Sequence, residues 1–259
     1  MVSQAVTVDV AGAPMPGYLA RPDDAMGPRP AVIVLQEIFG VNTEVKRITD
    51  LLGASGYVAL AINYYHRTDP ELNEPYTPEG MQNGFRAAAA VTKETLRADV
   101  GAAIDWLNEQ PFVAFNHIAT WGFCFGGAVA FVTATLRGIS GAISFYGGSI
   151  AKPMPDGEPP ALADAAEIRC PLLLVYGGKD EHIPASDIEQ TQAALTAAHK
   201  EFEVQVYPDQ GHAFFRDSGS MRRETDAATK SFVPDAEGTA HAVADSWDLV
   251  EAFLSKHLQ

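Results

Sequence analysis

The chain has 259 residues, enough for one large α/β domain or two small ones with a well-buried core. Acidic residues outnumber basic ones 33 to 18, for a formal charge of −15 with no block of Lys or Arg, so nucleic acid and anionic membrane surfaces are poor partners. No apolar run reaches membrane-spanning length, no basic segment leads into an apolar one at the N-terminus, and two cysteines make no disulfide framework; a soluble cytoplasmic protein is expected.

Residues 5–10 and 17–21, around Gly12-Ala13-Pro14, predict a short antiparallel pair at one sheet edge. The unbroken apolar run 31–36 suits a central strand covered on both faces, and a helix is predicted over 43–55 from Val45, Ile48, Leu51 and Leu52. Residues 56–62 form the next buried strand, with Asn63-Tyr64-Tyr65-His66-Arg67 just past its end. From 68 to 84 the chain is rich in Pro, Asn, Glu and Gly and reads as a surface excursion that roofs a site. Alanine-rich residues 85–109 predict one long helix or two broken near Lys93. Further strands are expected over 141–148, 171–176 and 202–207, a Pro-rich loop over 152–160, and helices over 185–199 and 240–257. With no repeat, no linker and no low-complexity region, residues 1–259 read as a single α/β domain with a mostly parallel central sheet and helices on both faces.

The chemistry centres on Gly122-Phe123-Cys124-Phe125-Gly126-Gly127, where an apolar run ends and small, helix-compatible residues begin. This is the strand, tight turn and helix layout of a nucleophile elbow, with Cys124 in place of the usual Ser. A nucleophile on a strained turn needs neighbours without bulky Cβ substituents, hence Gly122 and Gly126. The helix that follows aims free N–H groups at the thiolate and at a developing oxyanion. Cys170, before Pro171 at the start of an apolar strand, reads as a structural core thiol.

In a parallel sheet, reactive groups belong where strands end. Asp180 follows the strand at 171–176 in Gly177-Gly178-Lys179-Asp180, and His212 follows the strand at 202–207 in Gly211-His212-Ala213-Phe214. Nucleophile, acid, histidine is the chain order of an α/β-hydrolase. Cys124 must lose a proton to attack, His212 takes it and later delivers one, and Asp180 fixes the His212 tautomer and stabilises its imidazolium. The seven histidines are scattered and no His-Glu-x-x-His or Cys-x-x-Cys spacing occurs, so neither metal nor cofactor is expected. His182, two residues past Asp180, reads as a loop-surface histidine.

Over most of residues 30–257 the chain resembles the dienelactone hydrolase family of α/β-hydrolases. The likeness rests on Gln36-Glu37-Ile38-Phe39-Gly40-Val41-Asn42, the elbow, Tyr176-Gly177-Gly178-Lys179-Asp180 and Gly211-His212-Ala213-Phe214. The resemblance implies that Glu37 sits beside Cys124 and helps generate its thiolate when substrate arrives. It also implies an oxyanion hole at the backbone N–H groups of Phe125 and Ile38. Family members that cleave dienelactone hold its carboxylate with two arginines; Arg216, in His-x-Phe-x-Arg, matches one, and Arg86 is the nearest candidate for the other. The stretch between Ser218 and Thr239 is long for a simple member.

The expected activity is hydrolysis of a lactone or small carboxylic ester through a Cys124 acyl-enzyme, in a monomer or homodimer. The alternatives are a general carboxylesterase of unrelated substrate and a non-enzymatic thiol-redox or ligand-binding protein on the same scaffold.

Overall fold

A computed structural model describes residues 1–23, 27–216 and 236–258. The stretch between Ser218 and Thr239 falls largely outside these described residues. The chain opens on an antiparallel pair, β1 (Val2–Val10) and β2 (Ala13–Arg21), turned at Ala11 and Gly12, both at positive φ. Then come β3 (Arg29–Leu35), α1 (Thr43–Ala54), β4 (Val58–Ile62), α2 (Pro78–Ala88) and α3 (Lys93–Asn108). The second half holds β5 (Val113–Phe123), α4 (Phe125–Thr133), β6 (Gly141–Phe145), a 3-10 helix (Ala161–Glu167), β7 (Leu172–Gly177), α5 (Ala185–Ala197), β8 (Phe202–Tyr207) and α6 (Ala236–His257).

The strands form one sheet in the order β1-β2-β4-β3-β5-β6-β7-β8, parallel from β4 through β8. β4, β6 and β7 are buried at every residue, which requires cover on both sheet faces and explains why these segments read as apolar runs. Register then fixes where the loops emerge. Leu35 pairs with Gly122, Phe123 with Phe145, Phe145 with Val175, and Gly177 with Tyr207. Five parallel strands therefore end along one edge of the sheet, and Glu37, Cys124, Tyr146, Asp180 and His212 all follow those ends.

The expected surface excursion over 68–84 needs correction, because its second half is helical. Thr77 caps α2 by accepting from the Gly80 N–H, and Pro78 occupies the first turn. Glycines inside this helix are explained by close approach: a Cβ on Gly84 would lie 2.6 Å from the Ile38 carbonyl oxygen. The helix thus packs directly on the loop after β3. α2 and α3 break at residues 89–92, where Thr92 and Thr95 form a reciprocal capping box.

One feature the sequence did not signal ties the loop after β4 to α3. Asp99, fully buried, receives His66 Nε2 at 3.1 Å and Arg67 Nη1 at 2.7 Å on the same carboxylate oxygen. Among the described residues no helix is long and apolar enough to cross a membrane.

Candidate active site

Cys124 stands between β5 and α4 with φ 53° and ψ −116°, a conformation that costs a non-glycine residue on the order of 1–3 kcal/mol. The neighbourhood holds it there. Its N–H donates to the Phe145 carbonyl at 3.0 Å, and its own carbonyl accepts from Gly127 at 2.9 Å and Gly148 at 3.1 Å. The flanking glycines have the expected steric reason. A methyl on Gly122 would overlap the Gly126 carbonyl, and one on Gly126 would overlap the Leu35 carbonyl.

Asp180 and His212 reach the same point from β7 and β8. His212 Nδ1 lies 2.7 Å from Asp180 Oδ2, and since an ionised carboxylate only accepts, Nδ1 carries the proton. The other oxygen, Asp180 Oδ1, accepts from the backbone N–H groups of His182 at 2.8 Å and Ile183 at 3.2 Å. Gly177 and Gly178 let the two loops close on one another: a Cβ on Gly177 would lie 2.5 Å from the Gln210 carbonyl oxygen, and one on Gly178 2.7 Å from Pro208 Cα. Phe214 and Phe215, next but one and three past His212, are buried at 0% and 1% exposure among Trp121, Phe145 and Tyr207. Burying each contributes about 1.5–3 kcal/mol, which anchors the loop that carries the imidazole.

Burial alone would lower the His212 pKa, but the adjacent Cys124 and the hydrogen bond and charge of Asp180 outweigh it and raise it to about 10. Asp180 shows the complement. Burial disfavours its charge, yet the His212 partner and the His182 backbone N–H bring its pKa below the usual value. Both shifts favour the charged pair, an imidazolium beside a carboxylate.

A cavity of about 230 Å³ opens over Cys124. Glu37, Cys124, His212 and Arg216 supply polar groups, and Ile38, Phe39, Met81, Phe85 and Phe125 supply apolar walls. Ile38 and Phe125 thus line the same cavity as the thiol, and Phe125 is the first residue of α4, whose leading N–H groups have no acceptor within the helix. Glu37 is 4% exposed; its Oε1 lies 3.9 Å from Arg216 Nε, and its Oε2 has no hydrogen-bond partner among the described residues. The Arg216 guanidinium stacks 4.5 Å over the Tyr76 ring.

Two expectations change. Arg86 lies on the exposed side of α2, donates to Asn83 Oδ1 at 2.6 Å and does not line the cavity; its neighbours Met81 and Phe85 do. His182 is indeed exposed, but it also lines the cavity, with its ring centroid 5.0 Å from that of His212. Sequence reasoning passed over Tyr76, Tyr146 and Lys152. Tyr146 packs edge-on to His212 at 5.3 Å, and Lys152 lines the mouth. A residue directly after a strand end, as Tyr146 is, was the available signal; Tyr76 and Lys152 gave none. Among the described residues no group of three His, Cys, Asp or Glu is arranged to hold a metal.

The dienelactone hydrolase family profile matches residues 15–258. A relative from Synechocystis, provisionally named a carboxymethylenebutenolidase, is 32% identical over 254 residues, covering 98% of this chain and 96% of the relative. A relative from Escherichia coli of the same provisional name is 34% identical over 205 residues, 78% of this chain and 74% of its own length. The crystal structure of a protein from Klebsiella pneumoniae, provisionally named a dienelactone hydrolase, superposes with a TM-score of 0.83 at 27% identity over 98% of both chains. On its sequence and its α/β-hydrolase fold alike, the chain belongs to the dienelactone hydrolase family.

Proposed function

We propose that the protein hydrolyses a lactone or small carboxylic ester through an acyl-enzyme on Cys124. The observation that carries this reading is one imidazole, His212, held by Asp180 at 2.7 Å and set beside a thiol on a positive-φ elbow. Cys124 Sγ attacks the carbonyl carbon as a thiolate, and the negative charge that builds on the carbonyl oxygen meets the backbone N–H groups of Phe125 and Ile38. The carbon–oxygen bond to the leaving group then breaks as the His212 imidazolium gives that oxygen its proton. In the second half, neutral His212 takes a proton from water, the hydroxide attacks the thioester, and Sγ departs as thiolate. Asp180 keeps Nδ1 protonated throughout and stabilises each imidazolium.

Glu37 and Arg216 extend this scheme to substrates that carry a carboxylate. Arg216 Nε lies 3.9 Å from Glu37 Oε1, both line the cavity, and a substrate carboxylate that engages the guanidinium competes with Glu37 for it. Glu37, with one oxygen already lacking a hydrogen-bond donor, is then free to accept the thiol proton as substrate arrives, and it returns that proton to the Cys124 thiolate when the acid product leaves. Arg86 has no part in this scheme.

The test is a panel of lactones and esters, with and without a free carboxylate, on the wild type and Cys124→Ala. Turnover should fall by roughly a thousandfold or more in the variant, and mass spectrometry should find the acyl adduct on Cys124 and not on Cys170. Turnover that survives in Cys124→Ala overturns the covalent mechanism. Rapid sulfenate formation on Cys124 with no turnover of any ester would point to a thiol sensor instead.

A further inference from the structure

The histidine beside the proposed acid–base residue has no role in the scheme so far, yet its position is tightly determined. The carboxylate that orients His212 through Oδ2 also holds the backbone N–H of His182 through Oδ1. A second tether comes from Lys152, which also lines the cavity: its Nζ donates to the His182 carbonyl at 2.9 Å and pairs with Asp187 at 3.2 Å. Held at both its N–H and its carbonyl, the residue presents its imidazole edge to face with His212, at 82° between ring planes and 5.0 Å between centroids. Both rings line the cavity that opens over Cys124.

We propose that His182 is a second substrate-facing residue, whose imidazole N–H donates a hydrogen bond to the leaving-group oxygen as the scissile carbon–oxygen bond breaks. The inference rests on the acyl-enzyme reading above. The step balances without proton loss from His182: Sγ bonds to the carbonyl carbon, the leaving oxygen departs with the bonding electron pair, His212 supplies its proton, and His182 shares but keeps its own. Geometry favours this oxygen over the carbonyl oxygen. The carbonyl oxygen must face the N–H groups of Phe125 and Ile38, whereas the leaving oxygen must face the proton donor His212, which His182 adjoins. Charge favours it too. Though exposed overall, His182 loses part of its hydration where it lines the cavity; this partial desolvation and the neighbouring His212 charge, only partly opposed by Asp180, keep its pKa below the ordinary value, so the ring adds a neutral donor beside His212 and not a second positive charge.

Such a contact matters in proportion to the charge on the leaving oxygen, large for an alkoxide and small for a nitrophenolate. It therefore selects for substrates with basic leaving groups, alkyl esters and aliphatic lactones.

The experiment compares full-length wild type, His182→Phe and His182→Gln on acetate esters of ethanol, phenol and p-nitrophenol, reading kcat/KM, which reports steps through acylation. Phe keeps a ring without the donor, and Gln keeps a side-chain N–H. The expected result for His182→Phe is a loss of roughly ten- to a hundredfold on the ethyl ester against two- to threefold on the p-nitrophenyl ester. The slope of log kcat/KM against leaving-group pKa should steepen accordingly, and His182→Gln should restore most of it. An equal loss across the series, or wild-type slopes in both variants, overturns the assignment. Cys124→Ala, measured in parallel, keeps the two readings apart. If it is inactive while the His182 variants keep the wild-type slope, only the role of His182 falls; a wild type inert on the whole series, or an active Cys124→Ala, overturns the acyl-enzyme reading on which it stands.

Discussion

The two cysteines are the same residue at opposite ends of the sheet, and almost everything about their surroundings differs. Cys170 precedes β7 at the amino end of its strand, is 7% exposed, and has its Sγ 3.8 Å from the Ala134 carbonyl oxygen. Burial pushes its thiol up to about 12. Cys124 follows β5 at the carboxyl end, is partly exposed to a cavity, caps a helix, and adjoins His212, whose pKa Cys124 itself and Asp180 raise. In the proposed mechanism nucleophilicity is a property of place. The carboxyl edge gathers loops, helix N-termini and charged partners, while the start of a buried strand offers only packing.

The sharpest way to test that contrast is alkylation of the folded protein at neutral pH. A thiol whose pKa is near 12 is thiolate in only about one molecule in 10⁵ at pH 7. Iodoacetamide should therefore label Cys124 at least about a thousandfold faster than Cys170, as read by peptide mass spectrometry, and unfolding should erase the difference. Equal labelling in the native protein would break the comparison.

A smaller but still large effect is expected from Asp180→Asn, which removes the group that sets His212. Turnover should fall by roughly 10²- to 10⁴-fold, as when the orienting acid of such an arrangement is neutralised. The pH profile gives an independent reading with a definite sign. Asp180 raises the His212 pKa, so its loss lowers it, and the alkaline limb of kcat/KM, where His212 no longer holds a proton for the leaving group, should move to lower pH. An unmoved limb would mean that His212 is not the proton donor.

Arg216 and Arg86 extend the comparison to cations. Arg216→Ala should lower kcat/KM by roughly ten- to a hundredfold on a carboxylate-bearing lactone and barely at all on a neutral ester. Arg86→Ala should change neither, since its side chain points to Asn83 on the exposed side of α2. Equal losses for Arg216→Ala on both substrates would reject a carboxylate contact. The smallest effect is expected at Cys170→Ala: unchanged turnover, with a stability loss of about 1–2 kcal/mol in denaturant unfolding.

The sequence by itself carried the order of the elements, because buried parallel strands must be apolar throughout and their punctuation by Gly and Pro is local chemistry. β3, β4, β6 and β7 each came within a few residues of where they lie. It also carried the elbow and the motifs around Asp180 and His212, since glycines at 122, 126, 177 and 178 answer to backbone contacts that no side chain would permit. Glu37 and the oxyanion candidates were proposed only through family likeness, because nothing local distinguishes one carboxylate at a strand end from another. What needed the tertiary structure was everything set by contacts between distant segments. The helical roof was hidden because Gly80 and Gly84 lower helix propensity, and their reason is contact with Pro75 and Ile38. Asp99 looked like any helix carboxylate until His66 and Arg67 closed on it. Arg86 lies off the cavity and His182 lines it for the same cause: where a side chain points depends on its backbone, and that was decided by the packing of α2 on Ile38 and by the carboxylate of Asp180.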